Sequence, residues 1–185
     1  MCQTIATTQG LTPTEEKLDQ KLVMHIYSRI RYIQRFLPLL KATAKLDDGK
    51  GDPRVLSVLS AGVHKPYNDY KQDPGLEQNY TLTNAANIAG FYNDLFLDAL
   101  AQENPDVTFA HAAPGFVDTN WGSEMPFYLK GPIRAMQTFA KSASSCAEFM
   151  CTALLDPDTK GGLRLVDQYG LPAPKTAAHT PEAVA

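Results

Sequence analysis

The 185 residues contain no basic field, no cysteine pair at metal or redox spacing, and no apolar run of membrane-spanning length. Seventeen Lys and Arg stand against twenty Asp and Glu, a formal net charge of -3 with the signs interspersed. Nothing here gathers a polyphosphate backbone, so no nucleic acid partner is expected. Cys2, Cys146 and Cys151 are odd in number and lack CxxC or zinc-knuckle spacing. That usage fits a reducing compartment, with Cys146 and Cys151 packing as small apolar groups. No segment reaches the roughly 18 apolar residues of a bilayer span, and MCQTIATTQG lacks the basic start and apolar stretch of a leader. A cytoplasmic protein without membrane contact is therefore expected. HxH, HExxH and clustered carboxylates are missing, so the four histidines predict no metal site. Without GxSxG a serine hydrolase is disfavoured. Glycine is scarce early on, with Gly10 alone preceding Gly49. A pyrophosphate needs glycines so that backbone N–H groups can close on it, and the chain offers no such cradle; no cofactor is expected.

What is present reads as one α/β domain over residues 1–172, followed by a flexible tail, 173–185, rich in proline and alanine. An apolar content of 44% suffices for a core. TPTEEKL carries a helix-start signature: Thr12 as cap, Pro13 in the first turn and Glu15 as the capping-box acid. Leu18, Leu22, Ile26, Ile30, Ile33 and Leu37 then keep helical steps. RVLSVLSAG reads as a buried strand ending in Ser60, Ala61 and Gly62, and a long loop with His64, Tyr67 and Tyr70 follows. Small and apolar residues return at helical spacing from Tyr80 to about Leu100. VTFAHAAPG is a second buried strand, FVDTNWGSEMPFYLKGP a loop able to cover a pocket, Ile133 to Leu155 a further helix, and GGLRLVD a last strand. Strand, helix, strand implies a parallel crossover and about half of a doubly wound α/β fold.

The order RVLSVLS, YTLTNAAN, AAPGFVDTN resembles the short-chain dehydrogenase/reductase family. The match is to the subset with RIVNVSS, YxxSKLAN and HPGxVxT at compatible spacing, with FLPLL closing the preceding helix as in family members. That subset is frequent among fungal oxidoreductase-like proteins, many linked to secondary metabolism. The resemblance implies a truncated Rossmann-like fold: a short parallel sheet of three to four strands flanked by helices, without the glycine-rich dinucleotide part. It also implies that the family's Asn, Ser, Tyr, Lys set is represented by His25, Ser60, Tyr80 and Asn84. The family lysine lowers the tyrosine pKa by its charge and holds the nicotinamide ribose. Asn84 carries no charge, which leaves Tyr80 a hydrogen-bond donor or acid rather than a base.

The catalytic candidates are Tyr80 and Ser60, polarising a carbonyl, and His25 as a group titrating near neutral pH. Substrate-contact candidates are Asn84, His64, Tyr67, His111, Asp118, Asn120 and Trp121, the last as the wall of an apolar pocket. The expected activity is cofactor-independent and non-redox: isomerisation, dehydration or cyclisation, pericyclic closure included, of a carbonyl- or enol-containing small molecule. The alternatives are an NADPH-dependent carbonyl reductase whose nucleotide half comes from elsewhere, and a non-catalytic partner protein. An uncovered sheet edge and apolar helix surface would favour a homodimer.

Overall fold

The computed structural model describes residues 8–119 and 126–185. The apolar spacing of the first third does build a helix, as α1 (Gln20–Leu22), a π-helical turn (Val23–Tyr27) and α2 (Ser28–Ala44) in one run. Its cap is Asp19, not the predicted Thr12. Asp19 Oδ1 accepts the N–H groups of Lys21 at 2.9 Å and Leu22 at 3.2 Å, while Oδ2 accepts that of Thr12 at 3.0 Å. One carboxylate that satisfies three backbone donors outcompetes a threonine hydroxyl. TPTEEKL instead folds as a turn, with Lys17 in the left-handed region at φ 62°.

The elements that follow are β1 (Arg54–Val58), α3 (Leu82–Glu103), β2 (Thr108–Ala112), β3 (Val117–Asp118), α4 (Phe127–Gln137), β4 (Lys141–Ser142), α5 (Ala143–Leu155), β5 (Gly162–Val166) and α6 (Pro181–Val184). The main sheet has the order β1-β2-β5, and both pairings are parallel. This is the expected three-stranded, helix-flanked α/β arrangement, and β2 at its centre is buried at every position. Alternation along the strands sorts side chains by face. Phe109 and Val55 pack with Ile30, Ile33, Leu97 and Leu100 of α2 and α3. Ala112, Leu56 and Val58 pack with Cys146, Phe149 and Met150 of α5. His111, two residues beyond Phe109, therefore points to the α3 side.

The single helix predicted over 133–155 is in fact two, and the first begins inside the segment read as loop, at Phe127. Lys141 and Ser142 leave the helical path to pair in parallel with Val117 and Asp118. The Ser142 hydroxyl then accepts the Ser145 N–H at 3.1 Å, which starts α5 afresh.

Residues 173–185, read from composition as a loose tail, make defined contacts with the body. The Ala173 N–H donates to Leu165 O at 2.8 Å. Lys175 Nζ and His179 Nε2 meet Asp98 Oδ2 of α3 at 2.7 and 2.6 Å. Ala178, Ala183 and Val184 pack on the cluster that includes Leu22, Ile26 and Phe91. With the sheet, α1–α2 and this segment around it, α3 is buried over most of its length.

Candidate functional site around Ser60, Asp94 and Tyr80

Three residues singled out in the sequence, Ser60, His64 and His111, come together around a fourth that was not, Asp94. Its carboxylate lies on α3 and is fully buried. Asp94 Oδ1 contacts His111 Nδ1 at 2.6 Å, and Oδ2 faces His64 Nε2 at 3.3 Å, within ion-pair reach but without hydrogen-bond alignment. The Ser60 N–H donates to His111 Nε2 at 3.1 Å, and the Ser60 carbonyl meets His64 Nδ1, also at 3.1 Å. Burial holds His111 below the usual histidine range, against the opposing pull of Asp94.

Gly90 lets these groups close up. It lies one helical turn before Asp94, on the same face. A Cβ there would collide with Ser60 Oγ and stand 2.6 Å from His64 Nδ1. Next to Asp94, Asn93 bridges to the first helix: its amide donates to His25 O at 2.8 Å, and its Oδ1 lies 3.3 Å from the Ser57 hydroxyl.

Tyr80 lies two residues before α3, packed against the cluster of Leu22, Ile26, Tyr67 and Ala85. The ammonium of Lys21, itself buried, lies 5.6 Å from the Tyr80 ring centroid and donates to Gly10 O. The Tyr80 and Ser60 hydroxyls are both buried, and neither has a hydrogen-bond partner among the described residues. They do not hydrogen-bond to each other. Ser60 meets α3 at Gly90, eight residues past Leu82, roughly 12 Å along the axis from the end that carries Tyr80.

The remaining candidates fall in varied places. Asn84 is tied locally: its amide donates to Asn79 O at 2.8 Å, and its N–H donates to the Thr81 cap. The Tyr67 hydroxyl is committed to Asp73 at 3.1 Å. Asp73 also accepts the N–H groups of Glu77, Gln78 and Asn79. Burial works against ionisation of Asp73, yet these bonds prevail and hold its carboxyl below the usual range. Asp73 thus shapes the turn into Tyr80. His25 was expected to titrate near neutrality. Desolvation first, and the Arg29 guanidinium second, push it down to about 4, so it is neutral at pH 7. Asp118 is exposed in β3. Asn120 and Trp121 lie outside the described residues.

The glycine turns that follow β1 and β2 are both covered by the C-terminal part of the chain. Gly62, after β1, has φ +66°, and Pro174 closes over it so that a Cβ would come within 2.8 Å of the Pro174 carbonyl. Gly115, after β2, is covered by Gln168, and the Asn84 amide is spent on Asn79. No group of three His, Cys, Asp or Glu among the described residues can hold a metal ion. None of the described helices is long and apolar enough to cross a membrane. A groove of about 480 Å³ runs elsewhere, between α2 and β1, lined by Met24, Tyr32, Phe36, Val55 and Ser57 among others. It includes neither Ser60 nor Tyr80.

The fold is thus a parallel α/β arrangement with a buried His–Asp–His assembly at the end of its first strand. Similarity to known proteins agrees with an oxidoreductase-like scaffold. The chain is 32% identical over 111 residues to the NmrA-like family domain-containing oxidoreductase notO of Aspergillus sp. (strain MF297-2), covering 60% of this chain and 32% of the relative. It is 35% identical over 111 residues to oxidoreductase AN1596 of Emericella nidulans, covering 60% and 31%. Against oxidoreductase lepF of Aspergillus flavus the identity is 34% over 111 residues, covering 58% and 31%. The matched stretch is thus about a third of the length of these fungal relatives. No protein-family profile and no solved structure matches.

Proposed function

We propose that this chain carries the carbonyl-binding part of an enzyme on a short-chain dehydrogenase/reductase-like scaffold. In this reading it promotes non-redox proton chemistry, isomerisation, dehydration or cyclisation, on a carbonyl- or enol-containing small molecule of the natural-product type. The observation that carries the reading is that two buried hydroxyls, Ser60 Oγ and Tyr80 Oη, have no hydrogen-bond partner among the described residues. Buried hydroxyls normally find a partner, and leaving one unpaired costs about 1–3 kcal/mol. A guest oxygen that accepts from such a hydroxyl gains a donor fixed in advance, in a site where water competes little.

A carbonyl reductase is the second reading, with nicotinamide held by a segment or chain beyond the residues described. The relatives are named oxidoreductases, which favours it, and the matched stretch is only about a third of their length. Two measurements separate the readings. Titration of the protein with NADPH, followed by cofactor fluorescence, should show no saturable binding; saturation at low micromolar levels overturns the cofactor-independent reading. Deuterium exchange at the central carbon of acetylacetone, a minimal enolisable probe, should be accelerated by the protein. The acceleration should fall about a hundredfold in Tyr80→Phe or Ser60→Ala, the size expected for one oxyanion donor. An unchanged exchange rate in both variants removes the role given to the hydroxyls.

Association into a homodimer belongs to the same proposal. β1 is an edge strand among the described residues, and exposed Tyr32 and Phe36 of α2 line the groove beside it. An open edge beside apolar side chains invites pairing. Light scattering should return twice the chain mass, and a monomer at micromolar concentration would exclude the dimer.

A further inference from the structure

We propose that Asp94 and His64 share one proton, and that the resulting neutral His64–Asp94–His111 assembly grips the main chain of Ser60 from both sides. Asp94 is then a positioning residue for the Ser60 hydroxyl.

The protons are fixed by which atoms can only donate and which can only accept. The Ser60 N–H can only donate, so His111 Nε2, 3.1 Å away, is a bare acceptor. The proton of His111 is therefore on Nδ1, aimed at Asp94 Oδ1 at 2.6 Å. The Ser60 carbonyl can only accept, so His64 Nδ1, also at 3.1 Å, carries a proton. His64 Nε2 and Asp94 Oδ2 are left facing each other at 3.3 Å with no other hydrogen-bond partner among the described residues.

Two lone pairs in that arrangement repel, and both side chains are almost wholly buried. One proton between them removes the clash. Placed on His64 it makes an imidazolium–carboxylate pair; placed on Asp94 it makes a neutral acid and a neutral imidazole. Either way the net charge of the assembly is zero, the condition under which such groups tolerate burial. The charged and titratable groups facing it are Arg29 from α2, Asp94 from α3, His111 from β2 and His64 from the loop after β1. Arg29 donates to Val58 O at 2.8 Å and to the Ser57 hydroxyl, which anchors its charge to β1.

The mechanical consequence follows from the pairings. Asp94 holds both imidazoles, and the imidazoles hold the N–H and the C=O of the same residue. Gly90 lets α3 approach until Ser60 Oγ lies against it. The direction of the Ser60 hydroxyl is thereby set by Asp94, more than thirty residues away in the chain.

The test uses the full chain with ¹⁵N-labelled histidine and ¹³C-labelled aspartate, read by NMR at pH 7.5. His111 should show its proton on Nδ1 and a bare Nε2, and either His64 Nε2 or the Asp94 carboxyl should be protonated. A His111 proton on Nε2, or both His64 Nε2 and Asp94 unprotonated, overturns the proposal. Asp94→Asn is the informative variant. Its Oδ1 can accept from His111 while its NH₂ donates to His64, replacing the shared proton with a permanent one. It should keep the His111 tautomer and a urea midpoint near that of the parent, with His64 Nε2 now bare. Asp94→Ala should lose both the tautomer and the midpoint. An asparagine variant as damaged as the alanine variant also overturns the proposal. These readouts are independent of turnover, so they stand or fall apart from the carbonyl chemistry.

Discussion

Asp94 Oδ1 lies 2.6 Å from His111 Nδ1, and both side chains are fully shielded from solvent. His111 is one of two imidazoles that burial keeps neutral, and His25 is the other, held at about 4 chiefly by desolvation and next by Arg29. In the unfolded chain a histidine takes up its proton near pH 6.5. The unfolded state therefore binds more protons as pH falls below that value, and stability is lost through the window from about 6.5 down to about 4. One such group contributes a slope of about 1.4 kcal/mol per pH unit inside the window. His25→Gln should flatten the stability profile by that amount relative to the parent, with no change above pH 7. Urea midpoints at half-unit steps from pH 7.5 to 4.5 check it, and parallel profiles would contradict the assignment.

Gly90→Ala sets two effects of opposite sign against each other. In an unobstructed helix the change gains about 1 kcal/mol. Here the new methyl meets Ser60 Oγ and the His64 ring, and both are held by main-chain bonds that resist displacement. Overpacking of that kind costs about 1–3 kcal/mol, so the variant should be less stable than the parent. A higher melting temperature would show that the loop after β1 gives way easily.

Asp98 ties the C-terminal segment to α3 through Lys175 and His179. Those bonds hold its carboxyl below the usual range in spite of the opposing effect of burial. Asp98→Ala should weaken the attachment by about 1.5–3 kcal/mol, the usual size for hydrogen bonds to a charged group. Amide exchange in residues 173–185 should speed up at least tenfold, while β2 is unaffected. Equal protection in both proteins would mean that Ala178, Ala183 and Val184 suffice to hold the segment.

Much of the main sheet was legible because strand and helix periods differ. RVLSV, TFAHA and GLRLV are short apolar or β-branched runs, and the stretch from Leu82 to Glu103 keeps helical spacing, so β1, α3, β2 and β5 follow from pattern. The boundary errors came from side chains acting on the backbone. Asp19 took the cap from Thr12 because it serves three donors at once. Ser142 restarted a helix that apolar spacing alone would have continued. The site was less legible. Ser60, His64 and His111 stood out as polar groups at strand ends and in loops, whereas Asp94 sat in GFYNDLFLDAL as one acid on a helix. The signal that could have marked it is an acid one turn after a glycine within a nearly continuous apolar stretch. Lys21 beside Tyr80 left no such mark.

By itself, the order of residues determined the alternation of strands and helices, the parallel crossover, and the chemical types available at the end of the first strand. Those depend on local spacing, which a chain carries wherever it goes. Tertiary structure alone decided that Asp94 meets two histidines from different elements and that the C-terminal residues are tied to α3. Each of these depends on how far a helix is rotated and how close it approaches the sheet. Gly90 sets that closeness, and a contact between residues seventeen or more positions apart exists only once the packing has been chosen.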